Sequence, residues 1–73
     1  MKTETIYINT EMITLDRLLK FSGIVQTGGM AKMLITSRQV LVNGEVCTAR
    51  GKKIYEGNII TVLDKELIIA VGG

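Results

Sequence analysis

The groups in this 73-residue chain best placed to do chemistry are seven basic side chains in its middle. Arg17, Lys20, Lys32, Arg38, Arg50, Lys52 and Lys53 face only Asp16 and Glu45, so residues 16–53 balance at +5 while the whole chain carries +2. Lysine and arginine neutralise phosphates and release their counterions, so a basic segment flanked by acidic ends points to a polyanionic partner. Gly28 and Gly29 add a second kind of group. In the first turn of a helix they leave backbone N–H groups unshielded at the positive end of the dipole, with Lys32 one turn on, and that is an anion site. Each feature also has a purely structural reading. The two glycines would equally let one helix lie close against another. Asp16 and Lys20 have the i,i+4 spacing of a helix-surface ion pair, and Arg50–Lys53 would serve equally as a solvated loop.

Other chemistries lack their residues. Histidine is absent and Cys47 is the single cysteine, so neither an internal disulfide nor a cysteine-based metal site can form. The acids are scattered, and no P-loop, dinucleotide fingerprint or metal-spaced cluster occurs, so no enzyme activity, cofactor or metal is expected. No apolar run reaches the ~18 residues of a membrane span, and Met1-Lys2-Thr3-Glu4 leads into no signal-peptide core. The expectation is a small soluble protein of a reducing cytoplasm. At 47% hydrophobic residues it can build one core, but not a deep substrate cleft as well.

The elements that must carry the basic groups centre on Thr27–Glu45. Thr27 is a predicted N-cap, and Met30, Ala31, Leu34 and Ile35 gather on one helix face, with Met33 off that stripe. Asn43-Gly44 then demands a type I′ turn between Val40–Val42 and Glu45–Val46. Leu41 should lie opposite Val46 on one side, with Val40, Val42 and Cys47 on the other; both sides are apolar, so the pattern leaves the buried one open. Upstream, Glu4–Ile8 reads as an edge strand with Ile6 and Ile8 inward. A first helix over Ile13–Phe21 has Thr14 as its cap, Asp16 at the dipole's positive end and Leu15, Leu18 and Leu19 as its stripe. Ser22-Gly23 stops it, and Ile24-Val25 form an apolar plug. Downstream come the loop Thr48–Lys53, a short strand at Ile54-Tyr55, a turn at Glu56-Gly57-Asn58 and a strand over Ile59–Leu63. Asp64-Lys65 would close a second hairpin onto Glu66–Val71. The predicted class is α+β: two short helices packed on a small, mostly antiparallel sheet. It forms a single domain over 1–73, with a core motif at about 13–63 and flanking strands at 4–8 and 66–71.

From Leu15 to Val62 the chain resembles the RNA-binding domain first seen in ribosomal protein S-four. The resemblance rests on an ordered set of residues. Leu15-Asp16 with Leu18-Leu19 mark the first helix, and Ala31, Leu34 and Ile35 the second. Val40, Val42-Asn43-Gly44 and Glu56-Gly57-Asn58 before Ile59 complete the set. Thr27-Gly28-Gly29-Met30-Ala31-Lys32 and the Arg50-Gly51-Lys52-Lys53 loop look like the stand-alone bacterial YaaA/YbcJ-like branch. The resemblance implies a helix–helix–hairpin motif that binds structured RNA, ribosomal RNA among the candidates. Two positions depart from the pattern: Thr14 stands where many members place arginine, and Thr27-Gly28 where many have Ser-Arg. The usual contacts are therefore not carried over there. The expected RNA-binding set is Arg17, Lys20, Gly28, Gly29, Lys32, Arg38, Arg50, Lys52 and Lys53. With only Tyr7, Phe21 and Tyr55 as aromatics, reading the phosphate geometry of folded RNA is favoured over stacking on single strands, and Tyr55 reads first as a sheet-packing residue.

Two further functional classes share features with this sequence. Ubiquitin-like sulfur carriers end in Gly-Gly, as this chain does at Gly72-Gly73, and share a Val-Asn-Gly segment. Sulfur transfer, however, requires neither a capped Gly-Gly-Met-Ala-Lys helix nor a basic loop. A protein-interaction module using the apolar end of the ribbon would form a complex insensitive to salt. No small-molecule substrate is expected.

Overall fold

A computed structural model describes residues 2–72. In chain order it contains β1 (Lys2–Ile8), β2 (Met12–Thr14), α1 (Leu15–Phe21), α2 (Gly28–Thr36), β3 (Val40–Val42), β4 (Glu45–Val46), β5 (Lys53–Tyr55), β6 (Ile59–Val62) and β7 (Lys65–Val71). Five strands form one sheet in the order β1-β7-β6-β3-β4, and β2 and β5 form a separate two-stranded ribbon. All pairings are antiparallel except β1 with β7, which run parallel. The expected α+β architecture is observed.

Strand alternation sends one set of side chains to each face of the sheet. Ile8, Val40, Val42, Ile60, Val62, Leu67 and Ile69 point inward and are buried, and the helices cover them with Leu15, Leu18, Leu19, Ala31 and Ile35. Burying each such aliphatic contributes roughly 1.5–3 kcal/mol, so this one layer carries most of the fold. It also settles the ribbon: Val40 and Val42 go in, while Leu41 is half-buried and its partner Val46 exposed. Asn43 and Gly44 both adopt positive φ, as a type I′ turn requires. The turn is latched to β6, because Asn43 N–H donates to the Ile59 carbonyl at 2.7 Å and Ile59 N–H to Asn43 Oδ1 at 2.9 Å. Ser22-Gly23 ends α1 with Gly23 at φ +83°, and the plug residue Val25 is buried.

Four expectations need correction. Ile13 belongs not to a helix but to β2, opposite Ile54, and α1 begins at Leu15. Met30 is 49% exposed rather than core. At 100° per residue it sits on the flank of the narrow Ala31–Ile35 stripe, where no other element covers it. Lys53 is a strand residue, paired with Thr14. The second hairpin turns at Leu63-Asp64, since Lys65 already pairs with Val62. Leu63, at φ +55°, takes the left-handed position that a two-residue connection imposes.

Candidate nucleic-acid interface

The two helices present their N-terminal ends very differently. Thr14 occupies the N-cap of α1, but its side chain makes no capping bond, contrary to expectation. The loop after β4 supplies the acceptors instead: Leu15 N–H donates to the Lys52 carbonyl at 2.9 Å and Asp16 N–H to the Arg50 carbonyl at 3.1 Å. Arg17 N–H donates to Asp16 Oδ1 at 2.8 Å. The first three donors of α1 are thereby satisfied, a requirement every helix end must meet somehow. The clamp has a second effect. It fixes the backbone of Arg50–Lys53 beside the first turn of α1, and the β2–β5 pairing of Thr14 with Lys53 holds the loop's far end. Residues more than 30 positions apart in the chain thus bring Arg17 together with Arg50, Lys52 and Lys53, which sequence spacing alone could not reveal.

Helix α2 is left open. Thr27 caps it as expected, its Oγ1 accepting from Met30 N–H at 3.1 Å, and Ala31 N–H bonds the Thr27 carbonyl. Gly28 N–H and Gly29 N–H have no acceptor among the described residues. Both glycines are exposed. A Cβ built on Gly28 would meet nothing within 4 Å, and one on Gly29 only Thr27 Oγ1 at 3.9 Å. The close-packing explanation of this pair therefore fails: α1 and α2 do not need glycine there to approach. What the glycines do provide is bare backbone at the positive end of a nine-residue helix. Lys32 lies one turn on, exposed, on the same side as Gly28.

On α1 the buried stripe of Leu15, Leu18 and Leu19 directs Arg17 and Lys20 away from the core. All seven central cations are exposed. The ion pair found among the described residues is Lys65 with Glu4, 3.8 Å apart between β7 and β1, and it involves none of the seven. The Asp16–Lys20 pair is not formed; Asp16 is engaged with the backbone of its own turn. None of the seven central cations has an ion-pair partner among the described residues.

Arg38 stands apart. It follows α2 in a Schellman arrangement, Arg38 N–H to the Ile35 carbonyl at 3.2 Å and Gln39 N–H to the Leu34 carbonyl at 3.3 Å. Its φ of +66° is one that glycine normally supplies at this position. It lies a full helix length, roughly 13 Å, from Gly28. The expected site residues thus form three groups: Arg17, Lys20 and Arg50–Lys53 about α1, then Gly28, Gly29 and Lys32 at the start of α2, and Arg38 at its far end.

All three aromatics, Tyr7, Phe21 and Tyr55, are exposed. Tyr55, expected to pack on the sheet, is about half exposed and shares a shallow depression with Lys52 and Lys53. Phe21, 60% exposed, lines a groove with Arg17 and Lys20. The exposure of Phe21 has a local signal, since it falls off the Leu15–Leu18–Leu19 stripe.

The tail bears on the sulfur-carrier alternative. Gly73 lies outside the described residues. Gly72 N–H donates to the Ile8 carbonyl at 3.2 Å, tying the chain there to the sheet. No helix among the described residues is long and apolar enough to cross a membrane.

Comparison with known proteins agrees with the geometry. The model of the S4 domain family matches residues 6–70, spanning both helices and every strand except residues 2–5 of β1 and Val71 of β7. The chain is also similar to a protein of Bacillus subtilis (strain 168) described as probable ribosome maturation protein RlbA, 46% identical over 57 residues, 78% of this chain and 80% of that one. With its two helices, its Asn-Gly ribbon and this match over most of its length, the chain belongs to the S4 domain family.

Proposed function

We propose that this protein is a non-catalytic RNA-binding domain that recognises structured RNA through its phosphates, with ribosomal RNA as the partner. The observation that carries the reading is the set of exposed cations without ion-pair partners about α1, together with the open N-terminus of α2. Arg17, Lys20, Arg50, Lys52 and Lys53 would neutralise phosphates along one stretch of backbone. Gly28 N–H and Gly29 N–H would donate to a further phosphate, with Lys32 supplying charge. Arg38 would meet a more distant part of the same RNA. Membership of the S4 domain family supports RNA as the ligand. The relative's description as a ribosome maturation protein supports ribosomal RNA, and with it a cytoplasmic setting.

Binding of the purified protein to a folded ribosomal RNA fragment across a salt series tests this. If about four phosphates are neutralised, log affinity falls against log salt with a slope of roughly −3 to −4, by analogy with duplex DNA. The pair Lys52→Ala/Lys53→Ala should weaken binding to every sequence tried and flatten that slope by about one to two units, while the thermal midpoint stays put. No binding by the unmodified protein at low salt sinks the reading.

A further inference from the structure

Phe21 occupies a place that neither core packing nor phosphate binding explains. It ends α1 with 60% of its surface exposed, although three leucines of the same helix are fully buried. One exposed aromatic is ordinary on a protein surface, but this one lines a concave groove between α1 and the segment joining β1 to β2. Ile8, Met12 and Ile13 give the groove apolar lining, Arg17 and Lys20 flank the ring on its own helix, and Asn9, Thr10 and Glu11 form the polar part of the other wall. Arg17 and Phe21 are spaced i,i+4, so cation and ring share one helix face. Arg17 belongs to the first turns of the same helix, to which the backbone of the Arg50–Lys53 loop is clamped through the Lys52 and Arg50 carbonyls.

We propose that this groove holds one unstacked nucleotide of the bound RNA, its base lying on the Phe21 ring and its phosphate between Arg17 and Lys20. The inference rests on the RNA reading above and adds to it a non-phosphate contact. Every base has a flat face that an aromatic ring can stack on, and RNA loops and bulges present such bases already unpaired. The distribution of charge sets the orientation. Glu11 would repel a phosphate but accept hydrogen bonds from a base's exocyclic amine, so the sugar–phosphate lies on the α1 side and the base edge faces Asn9 and Glu11. A peptide would find no comparable match, because its backbone carries no charge for the two cations.

The chain contains no tryptophan, so Phe21→Trp introduces a single fluorescent reporter. The wild type, Phe21→Ala and Phe21→Trp would each be titrated with a folded ribosomal RNA fragment containing an unpaired loop, over the salt series already described. Phe21→Ala is expected to bind roughly 5- to 100-fold more weakly with the salt slope unchanged, because stacking rather than phosphate neutralisation is lost. Phe21→Trp is expected to bind like the wild type, its emission quenched as RNA saturates it. Binding by Phe21→Ala within twofold of the wild type, or tryptophan emission indifferent to bound RNA, would overturn the proposal while leaving the phosphate reading intact. Failure of the wild type itself to bind would remove both, so the two failures are told apart in one experiment.

Discussion

The N-termini of α1 and α2 solve the same problem in opposite ways. A helix begins with backbone donors that have no partner inside it. In α1, backbone carbonyls of Lys52 and Arg50 and the carboxylate of Asp16 take up the first three. In α2, Thr27 takes one and two exposed glycines leave theirs facing solvent. The closed end is a structural joint, binding a distant loop to the helix. The open end keeps its donors free, and on the proposed reading it is where a phosphate docks. The lesson is that a helix dipole marks a ligand site only where the fold has declined to use it. The charges follow the same division: the joint concentrates side-chain cations around α1, whereas α2 offers backbone donors with Lys32 in support.

Breaking the joint should have the largest effect. Ile54 is fully buried in β5, the strand that holds the loop against β2. Ile54→Ala should cost about 2–5 kcal/mol of unfolding free energy by urea titration. Because the loop is part of the joint, hydrogen exchange at the Leu15 and Asp16 amides should speed up at least as much as exchange elsewhere.

Sharpening the contrast at α2 needs a subtler change. Gly28 is the first helical residue, where proline is tolerated, and Thr27, at φ −135° and ψ 158°, already has the extended backbone that must precede proline. Gly28→Pro removes one free donor without touching the charges. RNA affinity should fall roughly 10- to 100-fold, the size expected for one hydrogen bond to a charged acceptor. Stability should hold or rise by up to about 1 kcal/mol as the unfolded chain loses freedom. Undiminished RNA binding by a folded Gly28→Pro protein would show that the open end is not used.

Two threonines at equivalent positions give a smaller, paired test. Thr27→Ala removes a real cap and should cost about 1 kcal/mol. Thr14→Ala removes none, and should cost under about 0.5 kcal/mol in the same denaturation experiment. Equal losses would mean that the two ends are not different after all. Last, Arg38→Gly relieves a left-handed residue at the other end of α2 and should stabilise the protein by roughly 0.5–1 kcal/mol, even as it weakens RNA binding.

How much of this could be read from residues depends on the range of each interaction. The Asn43-Gly44 turn, the Thr27 cap and the leucine stripe of α1 are written in local spacing, and all three appear as expected. Thr14 misled because a capping residue type says nothing about whether a distant carbonyl will reach the helix first. Met30 misled because a spacing rule defines a face but not how much of it the rest of the fold will cover. The cations of the proposed site are recognisable as a charge excess, but their grouping is not. Arg17 meets the Arg50–Lys53 loop only through two long-range hydrogen bonds and a three-residue ribbon.

The parallel pairing of β1 with β7 has a consequence for the order in which the molecule is made. Lys2–Ile8 aligns residue by residue with Lys65–Val71, so the strand synthesised early has no neighbour until the late strand has left the ribosome. Until then Ile6 and Ile8 remain uncovered, with open hydrogen-bonding edges on either side, the kind of exposed strand that invites mispairing. Closing a loop of this length costs entropy that local turns do not, which favours the helices and the Asn-Gly ribbon assembling first. The nascent chain would then finish its sheet by capturing its own beginning.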